Sequence, residues 1–379
     1  MMKQHHVFST KIIMQNPDSI HNYFAWPSIV KLQDGTLAAV ASGFRLDHIC
    51  PFGKAVISYS RDNGNTWTSP APIIDTVLDD RDAGILAYGE NTVLITSFNN
   101  SLSCQKMWAE HHIEVLKEEP DSPQKDCLLK RLAYNKAYIA RAVCEDKENE
   151  VYGSTYRISY DGGITYGPIF RSPVTNPHGP LYTNDGRLLH IGNVFGDAHN
   201  PPLFSRLQCY EINEKGESRY LSAVPPIPDK DTIQSLEPHA IQLPSGRILV
   251  HIRAERKSDD NGLYCIYQSH SDDGGKTFSV PCPICDDCNV GAPAHLFRHS
   301  SGTLISAVGH RCKPFGIYVL TSNDNGETWD TGTLITNGHN WDLGYPCTCE
   351  LNDGSLYTVW YGGTREGQPA VIYGTHWKL

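Results

Sequence analysis

Residues 60–67 read SRDNGNTW, and the same pattern returns at residues 159–166 (SYDGGITY), 271–278 (SDDGGKTF) and 322–329 (SNDNGETW). Each copy places serine, aspartate, glycine, threonine and an aromatic residue at fixed spacing. The aspartate can accept hydrogen bonds from turn amides, the glycine allows a positive φ, and the aromatic ring can fill the base of a hairpin. The pattern therefore predicts a β-hairpin turn that recurs along the chain, which indicates a repeat architecture.

A second repeat sets the number of structural units. Short apolar strands follow a Gly-x-Leu type of turn at six places, which begin at residues 34 (DGTLAAV), 90 (ENTVLITSF), 185 (DGRLLHIG), 245 (SGRILVHIR), 301 (SGTLISAVG) and 353 (DGSLYTVWYG). Six units of four short strands fit a chain of 379 residues, so the sequence predicts an all-β fold, a six-bladed β-propeller. The alternating segments VFSTKIIMQ and VIYGTHWKL, at the two ends, are expected to share the last blade and close the ring.

The second unit carries an insertion. Its repeat motif is delayed to residue 159, and residues 101–135 contain two helical segments, QKMWAEHHIEVLKEE and QKDCLLKRLAYNK. The insertion could be a lid, a contact through which the chain forms an oligomer, or a surface decoration. Since the six units need one another to form a ring, residues 1–379 are expected to form a single domain.

The overall charge narrows the range of partners. The formal net charge is −10, and the chain has no run of five or six like charges, which argues against a nucleic-acid or membrane-surface partner. No stretch of 18 apolar residues predicts a membrane span, and the first 20 residues lack the apolar core of a secretion signal. Twelve cysteines without such a signal predict reduced thiols and a cytoplasmic protein.

Three cysteines raise the question of a metal. Cys282, Cys285 and Cys288 are spaced as in some zinc and iron–sulfur sites, but such a site needs a fourth ligand. Cys265 could supply it across a hairpin; the alternative, which we favour, is a cysteine-rich loop without metal. The sequence has no glycine-rich phosphate loop, His-Glu-x-x-His motif or nucleophile elbow, so no cofactor is expected.

The innermost strand of each blade begins near the axis of a propeller, so its first residues supply any site in the central funnel. About nine residues before each Gly-x-Leu turn, the chain reads Trp26-Pro27-Ser28, Arg81-Asp82-Ala83-Gly84, His178-Gly179-Pro180, Glu237-Pro238-His239, Ala292-Pro293-Ala294-His295 and Gly344-Tyr345-Pro346. Burying a polar group costs free energy unless the group has a hydrogen-bond or ion-pair partner, so polar side chains in a scaffold position indicate a function. Their concentration here predicts that the funnel is the working site.

These segments resemble the sialidase (neuraminidase) superfamily, whose six-bladed propellers carry the repeat turns called Asp boxes or BNR repeats. The stretch SLEPHAIQLPSGRILVHIR resembles the family segment with a catalytic glutamate and an anchoring arginine, which implies Glu237 and Arg253 in those roles. GYPCTCELNDGSLYTVWYG resembles the segment of the tyrosine nucleophile, which implies Tyr345. GHRCKPFGIYVLTSNDNGETW implies Arg311 as a further anchor, and the loop FRLDH implies Asp47 as the acid/base.

The implied chemistry is coherent. A phenol has a pKa of about 10, so a neighbouring carboxylate, here Glu237, must take its proton before Tyr345 can attack. A neutral phenol also avoids the repulsion that a carboxylate nucleophile would meet beside an acidic sugar, and tyrosine nucleophiles are the known sialidase exception among glycosidases. Arginines suit the clamp because guanidinium is planar, permanently charged and bidentate.

One departure from the family is clear. The first family arginine lies in an Arg-Ile-Pro motif on the first inner strand, where this chain has Ala25. Arg45 or Arg81 could reach the same place; otherwise the substrate is not a conventional sialoside. The remaining candidate substrate-binding residues are Asp82, His178, His239 and His295. Each has a structural alternative: a local Arg81–Asp82 salt bridge, histidines that only hold the blades together, and, for Asp47, a turn cap.

Two classes of function follow from these residues. The first is a sialidase-like exo-glycosidase that removes a terminal acidic sugar from an oligosaccharide or glycoside, with retention of configuration. A variant of this class would act on a different sugar, such as a uronic acid or a deoxy sugar. The second class is a propeller that binds glycans without catalysis. The set of Glu237, Tyr345 and two arginines favours the enzyme, whereas Ala25 favours altered specificity or lost activity.

Overall fold

The computed structural model of the chain describes residues 5–145, 147–195, 203–228, 233–256, 264–284 and 293–379. Within these ranges the strands form six antiparallel sheets, five of them built from consecutive strands and the sixth from the first strand and the last three. The arrangement is a six-bladed β-propeller of the sialidase type, as the two sequence repeats predicted. In the described part of the chain, no helix combines the length and the apolar character needed to cross a membrane.

The first three blades follow one another directly along the chain. Blade 1 contains β2 (Tyr23–Lys31), β3 (Leu37–Arg45), β4 (Lys54–Ser60) and β5 (Ala71–Ile74). Blade 2 contains β6 (Asp79–Tyr88), β7 (Thr92–Asn100), β8 (Ser154–Ser159) and β9 (Phe170–Ser172). Blade 3 contains β10 (Val174–Thr175), β11 (Leu181–Tyr182), β12 (Leu188–Val194), β13 (Leu203–Ile212) and β14 (Ser218–Val224). In blade 3, both β10 and β11 pair with β12.

The last three blades complete the ring. Blade 4 contains β15 (Ile233–Gln242), β16 (Ile248–Arg256), β17 (Tyr264–Ser271) and β18 (Cys282–Pro283). Blade 5 contains β19 (His295–Arg298), β20 (Leu304–His310), β21 (Gly316–Ser322) and β22 (Thr333–Asn337). Blade 6 contains β23 (Leu343–Glu350), β24 (Leu356–Gly363), β25 (Ala370–Lys378) and β1 (His6–Met14). The predicted closure is therefore confirmed, because the N-terminal strand β1 pairs with the C-terminal strand β25.

The repeat motif forms the hairpin turn between the third and fourth strands of a blade. In the first copy, Asp62 accepts hydrogen bonds from the backbone N–H and the hydroxyl of Thr66, at 2.8 and 2.6 Å. Gly64 has a φ of 82°, and its N–H donates to Ser60 Oγ at 2.9 Å. The Thr66 hydrogen bonds lower the pKa of Asp62 to about 2. These turns lie at the end of the blade opposite the funnel, so the motif builds the fold and takes no part in a funnel site.

The insertion in blade 2 is a helical hairpin followed by a short helix: α1 (Leu102–Glu118), α2 (Pro123–Glu145) and α3 (Glu148–Val151). It is longer than the predicted 101–135, because the second helix continues to Glu145. The extra turns bury Ile139 and Ala142 against Leu78 of blade 2, which stabilises the longer helix. Arg131 donates from Nη1 to the carbonyl of Leu46 at 3.0 Å, so the hairpin also packs on the loop between β3 and β4.

Candidate active site

Four blades direct one side chain each into the funnel through the same backbone irregularity. In β2, β6, β15 and β23, two successive residues face a single residue of the second strand, which makes a β-bulge. The first bulged residue always has a positive φ: Trp26 (54°), Asp82 (53°), Glu237 (47°) and Tyr345 (49°). Such backbone costs about 1–3 kcal/mol for a non-glycine residue and clusters at functional sites. All four side chains line one cavity of about 360 Å³.

A sequence signal for these bulges exists. Proline lacks the N–H that a strand interior needs, so within a sheet it marks an edge or a bulge. Pro27, Pro238 and Pro346 directly follow three of the four bulged residues, and Ala83 follows the fourth. A non-glycine residue followed by proline at the start of an inner strand is therefore a partial signal, which marks three of the four bulged positions and misses Asp82.

Tyr345 and Glu237 are joined directly, although 108 positions separate them in sequence. The hydroxyl of Tyr345 donates to Glu237 Oε1 at 2.5 Å, and Arg253 Nη1 donates to Glu237 Oε2 at 2.6 Å. Burial, and then the charge of Glu237, raise the pKa of Tyr345 well above its ordinary value. The resting group is thus a neutral phenol that already points its proton at a carboxylate. Arg253 Nη1 lies 3.4 Å from the same hydroxyl, where it can stabilise a phenolate.

Arg253 has a second carboxylate partner that the sequence reasoning missed. Its Nη2 forms an ion pair with Glu255 Oε1, and Gln234 donates to the other oxygen of Glu255 at 3.2 Å. Glu255 lies two residues after Arg253 on β16, and residues two apart on a strand share a face. That spacing was the available signal. Arg253 is therefore compensated by two carboxylates and is not a free cation.

Asn193 is a further residue that the sequence reasoning missed. Its Oδ1 accepts the backbone N–H of Glu237 at 2.8 Å, and its Nδ2 donates to the carbonyl of Ser235 at 2.9 Å. The side chain comes from β12 of blade 3, so it ties the bulge of blade 4 to its neighbour. No local pattern distinguishes Asn193 from an ordinary strand residue, because its role depends on the contact between two blades.

Arg81 reaches the cavity from blade 2 and lies over Trp26. Its guanidinium carbon is 4.0 Å from the centre of the indole ring, a cation–π distance. Its Nε lies 3.4 Å from Asp82 Oδ1 and its Nη1 lies 3.9 Å from Asp79 Oδ2. Ala25, which replaces the family arginine, is completely buried. An aromatic ring therefore covers this part of the floor, with one arginine stacked on it.

Asp82 is the most perturbed carboxyl group of the cavity wall. It is 3% exposed, and its burial raises its pKa to about 6. The charge of Arg81 opposes this shift, whereas the charge of Glu237 adds to it. A carboxyl group with a pKa near neutrality can both give and take a proton under ordinary conditions.

Arg311 meets only uncharged partners in its hydrogen bonds. It lies just after β20, where its Nε donates to the carbonyl of Leu343 and its Nη2 to Tyr361 Oη, both at 3.0 Å. Tyr361 in turn donates to Asp342 at 3.1 Å. The guanidinium is held in place by this arrangement, and it keeps its positive charge available at the edge of the cavity.

Asp47, expected to be the acid/base, does not line the cavity. Its Oδ1 accepts the N–H of His48 at 2.7 Å, and its Oδ2 lies 3.9 Å from His112 of helix α1. The adjacent His48 lines the cavity instead, with its ring 5.0 Å from that of Trp26. Burial lowers the pKa of His48 well below its ordinary value, so the ring is neutral.

Arg45, expected to bind substrate, does not face the cavity either. It has no exposed surface, and its Nη2 lies 2.5 Å from Asp79 Oδ1, which is equally buried. Its Nη1 donates to the carbonyl of Asp80 at 3.2 Å and its Nη2 also to that of His48 at 2.8 Å. A guanidinium engaged in this way is a structural support for the loop after β3. Because its donors are engaged inside the protein, Arg45 is not among the residues that line the cavity, and its contact with substrate stays a prediction.

The three predicted histidines come together, but below the cavity. The ring centres of His178, His239 and His295 are 4.4–5.4 Å apart on the propeller axis. His178 Nδ1 lies 3.1 Å from Ser28 Oγ, while the Nδ1 atoms of the other two accept backbone N–H groups of the following blade. Burial lowers the pKa of all three well below the ordinary value. They form a neutral plug that closes the funnel floor, and they do not line the cavity.

The cavity wall carries equal numbers of basic and acidic side chains. Three arginines line it together with three carboxylates, Asp82, Glu237 and Glu255. The residues that the structure describes contain no group of three or more His, Cys, Asp or Glu side chains placed to hold a metal ion. Cys282 is an exposed free thiol, and its partners in the cysteine run, Cys285 and Cys288, lie outside the described ranges. The arrangement is suited to acid/base and nucleophilic chemistry.

A larger groove of about 1060 Å³ lies between the repeat turns of the first two blades, at the opposite end of the molecule. Its wall consists mainly of turn residues and of aromatic side chains such as Tyr59, Tyr88 and Tyr166. Among the described residues, none of these three tyrosines donates a hydrogen bond to a carboxylate, and Tyr59 donates to the carbonyl of Gly163 instead. The funnel is therefore the candidate active site.

Comparison with known proteins agrees with this architecture. Residues 213–358 match the model of a family described as a BNR repeat-like domain. No curated protein matches the chain. A crystal structure of a protein of unknown function from Dyadobacter fermentans aligns with a TM-score of 0.73 at 20% identity, covering 99% of each chain.

Two glycosidase structures are also similar in fold. An α-L-arabinofuranosidase of Fusarium graminearum aligns with a TM-score of 0.63 at 13% identity, over 98% of each chain. The NanB sialidase of Streptococcus pneumoniae aligns with a TM-score of 0.62 at 13% identity, over 96% of this chain and 70% of the other. Together with the repeat match, these likenesses show that the chain has the fold of a BNR-repeat β-propeller, which these two glycosidases share.

Proposed function

We propose that the chain is a retaining exo-glycosidase in which Tyr345 is the nucleophile and Glu237 accepts its proton. The observation that carries this proposal is the 2.5 Å hydrogen bond from Tyr345 Oη to Glu237 Oε1 on the wall of the cavity. A short O–H···O⁻ bond of this kind is typical of a charge-assisted pair. Two of the three solved structures named above are glycosidases, which supports the same proposal.

The first half-reaction follows from the geometry. As Tyr345 Oη bonds to the anomeric carbon, its proton moves to Glu237, and the bond to the leaving oxygen breaks. Arg253, held between Glu237 and Glu255, faces the oxygen on which negative charge would develop. Water then attacks the anomeric carbon of the glycosyl–tyrosine intermediate as its bond to Tyr345 Oη breaks, and Tyr345 recovers its proton from Glu237. The proton that water loses balances the one that the leaving oxygen takes up. Two inversions at the same carbon retain its configuration.

The shape of the site supports exo action. Among the described residues, His178, His239 and His295 pack together on the floor side of the cavity, so we expect a ligand to approach from the mouth. The cavity of about 360 Å³ is at the small end of the range for ligand sites. A terminal sugar can occupy such a blind cavity, whereas the middle of a polysaccharide chain would have to pass through the plug.

The nature of the sugar has two candidates. A terminal acidic sugar is the first, because Arg311 offers a positive charge that no carboxylate hydrogen-bonds among the described residues. A neutral sugar is the second, because Arg81 and Arg253 are already compensated and Ala25 leaves no arginine on the first inner strand. The two candidates share the same nucleophile and differ only in what Arg311 contacts.

A panel of aryl glycosides tests the proposal. It should include sialosides, uronides, arabinofuranosides and deoxy sugars in both anomeric configurations, assayed with the wild type and with Tyr345→Phe. The product of the active member should retain its configuration by NMR, and a fluorinated analogue should add its mass to the peptide that contains Tyr345. A label on another residue, or full activity of Tyr345→Phe, would refute the tyrosyl mechanism. A wild type that binds sugars from the panel without hydrolysing them would favour the non-catalytic propeller.

A further inference from the structure

We infer that Asp82 is the general acid and base of this site, the role that family resemblance assigns to Asp47. The inference rests on the proposed function and adds a residue to it. Asp82, Glu237 and Tyr345 occupy the same bulge position in blades 2, 4 and 6. Alternate blades of a six-bladed ring are a third of a turn apart. Asp82 therefore lies a third of a turn from both Tyr345 and Glu237, and it is close enough to interact electrostatically with each. A sugar bound between these three blades would meet all three side chains.

The backbone of Asp82 is fixed by a hydrogen bond, whereas only one of its two carboxyl oxygens contacts a donor among the described residues. Its backbone N–H donates to Ser42 Oγ at 2.9 Å, which fixes the bulge. Its Oδ1 makes a long contact of 3.4 Å with Arg81 Nε. Among the described residues, no donor lies within hydrogen-bond distance of Oδ2. One carboxyl oxygen is thus directed at the cavity and free to meet a glycosidic oxygen or a water molecule.

The surroundings of Asp82 favour a group that is protonated part of the time. Burial is the main cause that raises its pKa to about 6, and the charge of Glu237 adds to it. Arg81 and Arg45 lower the pKa, which keeps it near neutrality. The neutral ring of His48 and the neutral phenol of Tyr345 also line the same cavity, without contributing a charge. A general acid works best when its pKa lies near the working pH.

Asp47 lacks these properties. It lies outside the cavity wall, its Oδ1 accepts the N–H of His48, and its Oδ2 faces His112 on the insertion. Its side chain is 29% exposed, compared with 4% for Asp82. Its position is suited to joining the β3–β4 loop to helix α1, a structural role.

With Asp82 as the acid and the base, every proton transferred in the two half-reactions is accounted for. In the first, Asp82 gives its proton to the glycosidic oxygen as the C1–O bond breaks and Tyr345 Oη bonds to C1, its own proton passing to Glu237. In the second, the Asp82 carboxylate removes a proton from water as the water oxygen bonds to C1. Tyr345 then leaves and recovers its proton from Glu237. The enzyme returns to its starting protonation.

The test is a leaving-group series on the sugar that the wild type hydrolyses, from dinitrophenyl to phenyl glycosides. Asp82→Asn should lose about 10²–10⁴-fold in kcat/KM on the phenyl glycoside, the usual contribution of a general acid. It should lose far less on the dinitrophenyl glycoside, whose leaving group needs no proton. Azide should then restore turnover and give a glycosyl azide. Asparagine tolerates a positive φ, and an unchanged melting temperature would show that the fold is intact.

The matched variant is Asp47→Asn, which should change every substrate of the series by the same small factor. A loss in Asp82→Asn that is uniform across the series would overturn the inference, as would leaving-group dependence in Asp47→Asn. Carbon-13 NMR of aspartate-labelled protein gives a readout independent of turnover. The resonance removed by Asp82→Asn should titrate near pH 6, and titration near pH 4 would also overturn the inference. If Tyr345→Phe is inactive on all substrates while Asp82→Asn shows no leaving-group dependence, the proposed function stands and only the role of Asp82 is refuted.

Discussion

The hydroxyl of Tyr345 on blade 6 and the carboxylate of Glu237 on blade 4 meet at 2.5 Å in the funnel. Both residues sit at the first position of a β-bulge, and both have a positive φ. Arg253, 3.4 Å from the hydroxyl and 2.6 Å from the carboxylate, completes the group. Strained backbone that recurs at equivalent positions of different blades is a geometric mark of this site.

Tyr345→Phe should abolish turnover while leaving the fold intact, since only a hydroxyl group is lost. We expect a fall on the order of 10³-fold or more in kcat, a nearly equal fall for Glu237→Gln, and little further loss in the double variant, because the two act as a unit. Steady-state kinetics on the active glycoside measures this. Tyr357→Phe is the matched control: this buried tyrosine donates to the carbonyl of Gly64, far from the funnel. Additive losses in the double variant would mean that the two residues act separately.

Arg311→Met should weaken the binding of a carboxylate-bearing sugar, because Arg311 is held by neutral partners. One charge-assisted hydrogen bond corresponds to about 1.5–3 kcal/mol, or roughly 10- to 150-fold in Kd. Calorimetric titration with an acidic sugar and with its neutral analogue separates the two candidate substrates. Arg61→Met, on a repeat turn, is the control. Equal affinities of wild type and Arg311→Met for the acidic sugar would leave the neutral sugar as the substrate class.

Arg45→Met should destabilise the protein and leave ligand specificity alone. Its partner Asp79 is completely buried, and removal of one member of a buried ion pair costs about 3–5 kcal/mol. Denaturant unfolding, compared with Lys54→Met in an exposed pair, measures the difference. Wild-type stability together with a specific loss of substrate affinity would show that Arg45 does reach the ligand.

Acid should destabilise the histidine plug. The pKa values of His178, His239 and His295 are depressed in the folded protein, so their contribution to stability is complete above the unfolded value of about 6.5 and is lost as pH falls. Each histidine contributes a slope of at most about 1.4 kcal/mol per pH unit. Asp80, with its pKa raised to about 7, acts in the opposite direction, since its contribution is lost as pH rises.

The histidine contribution is isolated by comparing variants. The free energy of unfolding should fall less between pH 7 and pH 5 in His178→Gln than in the wild type. His111→Gln, on the exposed face of α1, should keep the wild-type slope. Identical slopes for all three proteins would show that the plug does not carry the acid sensitivity.

The helical insertion should support the blade-1 loop without being needed for the ring. Replacing residues 102–151 by a short Gly-Ser turn exposes Leu78 and removes the Arg131 contact to Leu46, which should cost about 1–3 kcal/mol. Unfolding should stay cooperative in calorimetry, because the hydrophobic clusters shared by neighbouring blades, such as that of Val40 with Ile95, remain. Shortening only the turn at residues 119–122 should leave the melting temperature unchanged. Aggregation of the larger deletion would indicate that the insertion covers an essential part of the ring.

Much of this architecture could be predicted from local patterns. Hairpin turns are decided within a few residues: Asp62 binds the N–H and hydroxyl of Thr66, and the glycine between them adopts a positive φ. Such a turn requires the same residues at the same spacing wherever it occurs in the chain. The delayed second copy of this motif locates the insertion, the six Gly-x-Leu turns give the blade number, and the alternating end segments predict the closure.

The site could be predicted only where strand periodicity or a family motif pointed to it. The structure brings together Tyr345, Glu237, Arg253, Arg311, Arg81 and Asp82 on one cavity wall. It separates Arg45, Asp47 and the three histidines from that wall, although their sequence context was equally suggestive. Whether a funnel residue faces ligand or protein depends on its neighbours in other blades. Arg45, for example, forms a buried ion pair with Asp79, which lies 34 positions away in the chain.

The sequence by itself determined the six-bladed ring, because each hairpin is stabilised by contacts between residues close in the chain. Only the tertiary structure decided the chemistry of the funnel. The bulges that direct Trp26, Asp82, Glu237 and Tyr345 inward are held by contacts from other blades, such as that of Asn193 with the N–H of Glu237. The pKa of Asp82 is likewise a property of burial, which exists only after the blades have closed around it.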